Sequence, residues 1–176
     1  MRLFPLIRFT RGLTAMLGAL VLAGCAHYQL GSGGPLPFRN LYVSVVRNQS
    51  FAAQAQAPVT EMIRQSLLQE NRVTLTDQTD ADATLDVTLS DYQRAAAATQ
   101  QGNTLNAQSY SLTLTALCTL VDNRSGKVYF KNRRVSVTEE AFVQGGDSFS
   151  ESEYQSMPKL ARDLGTKIKD EVTGGW

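Results

Sequence analysis

Residues 109–121, SYSLTLTALCTLV, alternate along most of their length between an apolar set and a hydroxyl set. Leu112, Leu114, Ala116, Cys118 and Leu120 share one parity; Ser111, Thr113, Thr115 and Thr119 share the other. Period two sustained this long marks a strand buried on one face only. Asp122-Asn123-Arg124-Ser125-Gly126 follows with hairpin-turn chemistry, and Gly126 suits a positive φ. Lys127 to Thr138 reads as the returning strand. Its apolar residues change parity between Val128, Phe130 and Val135, Val137, which a bulge near Asn132 to Arg134 explains. Upstream, Thr84 to Ser90 also alternates, with Leu85, Val87 and Leu89 together. Three such strands in succession predict an antiparallel meander with one covered face.

The flanking segments supply the cover. Asn40 to Val46 reads as a strand by its β-branched content. Residues 52–70 have helical spacing at Val59, Met62, Ile63, Ser66 and Leu67, with Pro58 either starting or kinking the helix. Residues 71–76 suit a short strand and 77–82 a turn. The stretch 95–109, AAAATQQGNTLNAQS, reads as a loop, and 144–152 as another. A final helix carries Met157, Ala161, Leu164, Ile168 and Val172 on one stripe. The expected fold is α+β, β-α-β-β-β-α. It is a two-layer sandwich with a mostly antiparallel sheet, a first βα crossover and both helices on one face.

The first 24 residues read as an export signal. Arg2, Arg8 and Arg11 form a positive start without acids, and Gly12 to Leu22 is uncharged and apolar. The run is too short for a confident membrane span. It ends in Leu22-Ala23-Gly24-Cys25, which resembles the bacterial lipobox, where cleavage before the cysteine leaves its thiol to carry lipid. Residues 25–38 then form a lipidated Gly/Pro-rich tether, and 39–176 a single domain. Removing residues 1–24 leaves 14 basic and 16 acidic side chains, a net charge of −2, so the precursor's +1 belongs to its signal. No basic field points to nucleic acid. Ala26 after the cysteine favours the outer membrane by bacterial sorting logic. With Cys25 acylated, Cys118 has no intramolecular disulfide partner and its parity places it in the core.

Catalytic constellations are missing from the sequence. There is no G-x-S-x-G elbow, phosphate loop, zinc spacing or dinucleotide fingerprint. His27, the single histidine, is two residues from the lipidated position. Asp77, Asp80 and Asp82 lack the calcium-loop pattern, and Glu139 and Glu140 point opposite ways on a strand. The chain is expected to be neither an enzyme nor a holder of a metal or cofactor.

Charge is distributed unevenly. Residues 95–121 hold no charged residue in 27 positions. A solvated sheet usually guards itself with Lys and Glu, whereas short hydroxyls suit close approach of another polar surface. Thr is also simply a good strand residue. Arg124, Lys127, Lys131, Arg133 and Arg134 gather at the last hairpin, with 127, 131 and 133 expected on one face. They could meet phosphate or carboxylate, or serve as a charged edge.

Taken together, CAHYQLG, PFRNLYVSVVRNQSF, ADATLDVTLSDYQR and SYSLTLTALCTLVDNRSGKVYFKNR, followed by the final helix, resemble the LptE family over residues 25–173. The resemblance implies an outer-membrane lipoprotein on the periplasmic face. It would plug an LptD-type β-barrel and support lipopolysaccharide transport, with membrane, barrel and lipopolysaccharide as partners. A barrel lumen is polar, so the low-charge segment would face its wall, through Gln100, Asn103, Thr104, Asn106, Ser111, Thr113 and Thr115. Some family members touch the glycolipid with basic residues in two loops, but 99–109 and 141–152 here contain no Lys or Arg. Glycolipid binding would then fall to Arg124, Lys127, Lys131, Arg133 and Arg134. A second reading is a lipoprotein that activates a peptidoglycan synthase. Its usual long linker contrasts with a tether here that reaches at most about 45 Å.

Overall fold

The computed structural model of the chain describes residues 35–100, 103–142 and 149–174. The signal segment, Cys25 and His27 lie outside these residues.

The meander forms as its periodicity predicts, with longer strands. β1 (Asn40–Val43) and β2 (Arg47–Asn48) precede α1 (Gln56–Leu68), entered through a 3-10 turn at Ala53–Ala55. β3 (Thr74–Leu75), β4 (Ala83–Gln100), β5 (Asn103–Asp122), β6 (Val128–Phe142) and α2 (Phe149–Thr173) follow. The sheet order is β3-β1-β4-β5-β6, with β2 also on β4. β1 runs parallel to β3 and β4, and β4, β5 and β6 are antiparallel. Leu85, Val87, Leu89, Leu112, Leu114, Ala116, Cys118 and Leu120 are buried on one face, together with Val59, Ile63 and Leu67 of α1 and the expected stripe of α2. Each fully buried aliphatic chain contributes roughly 1.5–3 kcal/mol, so this one core holds both layers together. Pro58 sits in the first turn of α1, where its missing N–H has no helical partner to lose.

Three local expectations change. The strand expected over 40–46 breaks after Val43. Val43 pairs with Leu85 and Arg47 with Thr88, so four residues span the distance that three span on β4. Val43 and Val46 therefore both face the core while Val45 is 67% exposed. Second, the expected loop 95–109 is mostly strand. β4 and β5 stay paired to Gln100 opposite Asn103, whereas β6 leaves β5 at Ser109 opposite Phe142. Among the described residues, the outer part of the hairpin is a two-stranded arm. The Ala, Gln and Asn residues carry little intrinsic strand signal, and the pairing beyond Ala96 passes through three register shifts. Third, β6 holds two irregularities, not one. Leu120 faces Phe130, but Val121 faces Val128 and Cys118 faces Arg133. Asn132 takes φ 50° at the second, a conformation Asn tolerates better than other non-glycine residues.

The helices meet closely at Gly165. A Cβ there would lie 2.7 Å from the Met62 carbonyl carbon and 3.0 Å from the Ile63 nitrogen of α1. At its start, α2 is pinned to β4. Glu153 Oε1 accepts from the Tyr92 hydroxyl at 2.8 Å, and its Oε2 accepts from Arg94 Nη1 at 3.2 Å. Among the described residues, no helix is long and apolar enough to cross a membrane.

Cys118 is fully buried, and burial, aided by Glu171, pushes its thiol up to about 12. The native protein should therefore show no reaction at Cys118 with a thiol reagent over an hour at pH 8, and complete reaction in denaturant. Mass spectrometry of the labelled peptide checks this, and fast native labelling would contradict the burial.

Candidate functional site

Because β5 is the middle strand of the meander, its outward residues run down the centre of the uncovered face. Ser111, Thr113, Thr115 and Thr119 stand there, with Thr115 itself buried at 1% exposure, flanked by Thr84, Asp86 and Thr88 on β4 and by Ser136, Thr138 and Glu140 on β6. The register skips Ser90, so Asp91 and Gln93 continue the β4 row opposite Thr115 and Thr113. The centre is uncharged and the charges lie on the flanks.

The hydroxyls are already engaged with one another. Thr113 and Thr138 share a hydrogen bond of 2.9 Å, as do Thr115 and Ser136. Ser109 donates to Glu140 at 2.5 Å, and the Asn132 amide donates to Thr119 at 3.1 Å. A hydroxyl with one satisfied bond keeps acceptor capacity yet loses less on being covered. Such a face can meet a polar wall without leaving donors stranded. It brings Ser111, Thr113 and Thr115 together, while Gln100 and Asn103 pair at the far end of the arm and Thr104 and Asn106 lie along it. The side chains of those last four lie outside the described residues.

The five basic residues do not form one patch. Arg124 pairs with Asp82 beside the β5–β6 turn. Lys127 lies 5.3 Å from the Tyr129 ring. Arg133 faces Cys118, on the helix-covered side, where it bonds Glu171 at 2.9 Å and lies over Phe130 at 4.5 Å. Arg134 faces Leu117 on the opposite side, and Lys131 is exposed at the bulge. The expectation that 127, 131 and 133 share a face fails because the two irregularities in β6 break the alternation. Glu139 and Glu140 do point apart: Glu139 pairs with Lys159 of α2, and Glu140 accepts from Ser109.

A feature the sequence did not single out is Asp82. Its Oδ2 accepts from the amides of Arg39 and Asn40 at 3.2 and 2.9 Å, and its Oδ1 pairs with Arg124. One carboxylate thereby fixes where the chain enters β1 to the β5–β6 turn. Its position before an alternating strand was the available signal. The amides of Asn40 and Arg39 hold Asp82 below its ordinary range. Within the turn, the Ser125 amide and hydroxyl and the Tyr129 hydroxyl pull Asp122 from 3.8 down to about 2. A carboxylate depressed in the folded state adds stability above its unfolded value and loses it as pH falls through the folded one. The urea midpoint should therefore hold from pH 7 to about 4.5 and drop between about pH 4 and 2. Asp122→Ala should lower the midpoint at pH 7 and flatten that drop. Equal acid sensitivity in both proteins would remove Asp122 from the account.

Comparison with known proteins gives a consistent assignment. The family model for LptE, lipopolysaccharide-assembly, matches residues 38–172. No curated protein matches the chain significantly. Among solved structures, uncharacterized lipoprotein B from Nitrosomonas europaea is 11% identical, with 83% of this chain and 87% of that one covered at a TM-score of 0.51. A minor lipoprotein from Acinetobacter baumannii is 14% identical, with 78% and 94% covered at a TM-score of 0.51. The hypothetical protein CT253 from Chlamydia trachomatis is 11% identical, with 76% and 97% covered at a TM-score of 0.50. At these identities the likeness concerns the fold.

Proposed function

The chain belongs to the LptE family of lipopolysaccharide-assembly lipoproteins, and on that premise we propose that it works from the periplasmic face of the outer membrane as the plug of an LptD-type β-barrel. Cys25 carries the lipid that holds it there. The work is assembly and passage of the glycolipid, not catalysis. The observation that carries the reading is the central uncharged row of β5, in which the Thr113 and Thr115 hydroxyls are bonded to Thr138 and Ser136 on β6, with Ser111 and Thr113 partly exposed and Thr115 buried. A barrel interior is polar and water-lined, so a plug gains from a face that can be covered at small desolvation cost. The uncharged arm beyond Ala96 extends the same surface.

Site-specific photo-crosslinking tests this. A photoreactive residue at Thr113 should capture the barrel in cells, and one at Arg162 on the exposed side of α2 should capture it far less. Equal capture at both positions, or none at Thr113, would place the contact elsewhere.

A further inference from the structure

A hollow of about 460 Å³ lies at the end of the domain where the tether enters. One wall is apolar, made by Pro35, Leu36 and Pro37. Arg39, Arg72 and Arg124 also line the hollow, with Asp82 the one carboxylate residue among its lining. These arginines come from three separate places in the chain: the entry to β1, the turn after α1 and the β5–β6 turn. Arg72 is braced by Glu70 at 2.8 Å, and Arg124 by Asp82, whose other oxygen holds the Arg39 and Asn40 amides. Bracing fixes the position of two of the three cations. Arg39 is anchored through its backbone and exposed at its side chain.

We propose that this hollow binds the phosphate of an anionic glycerophospholipid headgroup in the leaflet that holds the protein's own anchor. The inference rests on the reading of Cys25 as the lipidated residue. From Cys25 to Pro35 is ten residues, a reach of at most about 35 Å, which keeps this end of the domain within reach of the headgroup layer. The chemistry of the hollow matches that position. Guanidinium groups give charge-assisted bonds to phosphate oxygens, and the Pro-Leu-Pro wall suits the glycerol and first methylenes. The bound headgroup would fix the tilt of the domain on the membrane, which a single point of covalent attachment cannot do.

The test uses the mature lipidated protein in neutral detergent micelles. Dihexanoyl phosphatidylglycerol, dihexanoyl phosphatidylcholine, inorganic phosphate and lipid A are each titrated while the arginine Nε–H signals are followed by NMR. Phosphatidylglycerol should shift Arg39, Arg72 and Arg124 and bind at least fivefold tighter than phosphatidylcholine or inorganic phosphate. Arg39→Gln, which breaks none of the bracing pairs, should weaken it about tenfold and reduce its salt dependence. Equal binding of the zwitterionic lipid, unchanged affinity in Arg39→Gln, or a free phosphate that binds as tightly would overturn the proposal. Lipid A binding tenfold tighter at the same three residues would also overturn it, by assigning the hollow to the transported glycolipid. Capture of the barrel by Thr113 is unaffected by any of these results, so the two readings fail separately.

Discussion

Replacing Gly165 by alanine should destabilise the protein, although the same change raises helix propensity. At an unconstrained helical position Gly→Ala gains about 1 kcal/mol. Here the added methyl meets α1 backbone, at 2.7 Å from the Met62 carbonyl carbon, 2.8 Å from its oxygen and 3.0 Å from the Ile63 nitrogen. No flexible side-chain end can swing aside. The two helices must separate, and their buried partners Ile63, Leu164 and Ile168 move with them. Overpacking of this sort costs about 1–3 kcal/mol and sometimes more. The expected net loss is about 1–2 kcal/mol for Gly165→Ala and about 3 kcal/mol or more for Gly165→Val, which adds bulk without the full propensity gain. At roughly 2–4 °C per kcal/mol for a domain of this size, the valine variant should melt about 6–12 °C lower. Calorimetry on the three proteins decides the matter, and an alanine variant that melts higher than the parent would mean the helices are not in contact at that point.

The second large effect concerns the anchor. Cys25→Ala should abolish incorporation of labelled palmitate altogether, because Cys118, the other cysteine, is fully buried in the folded domain. Acyl chains supply about 0.8 kcal/mol per buried methylene, and two or more together hold a protein on a membrane stably. Among the described residues no helix is long and apolar enough to cross a membrane. The variant should also keep residues 1–24, visible as a heavier product, and disappear from the outer-membrane fraction. Palmitate incorporation that persists in Cys25→Ala would move the lipid to another residue and displace the headgroup hollow from the membrane.

The meander and both helices were legible because their apolar residues repeat at periods of two and of three to four, and the core those residues form is the one observed. Chain segments whose structure is set by neighbours were not. The outer hairpin over 95–109 is rich in Ala, Gln, Asn and Thr, and its pairing continues to Gln100 opposite Asn103 only through three register shifts beyond Ala96. The break after Val43 and the second irregularity in β6 each need one extra residue, which alternation alone does not place. That second irregularity turns Arg133 under the sheet and scatters the basic hairpin that looked continuous. Gly165 could have been noticed from its spacing of four from Ala161, a small-residue pair on the buried stripe. The partners of Asp82 and Glu153 could not be read from the sequence, because they lie 42 and 61 residues away in the chain. On the open face the sequence was sufficient: the hydroxyl parity of β5 survives intact, and the structure adds that its hydroxyls are bonded across to β6.

The most direct test of the plug reading is to purify the natively lipidated protein from crosslinked outer membranes and identify what accompanies it. The account predicts a β-barrel of the LptD type in one-to-one amount, lost when the partly exposed Ser111 and Thr113 are both changed to Glu in a protein that still folds. A peptidoglycan synthase in its place, or lipidated protein recovered from the outer membrane with no barrel at all, would contradict it.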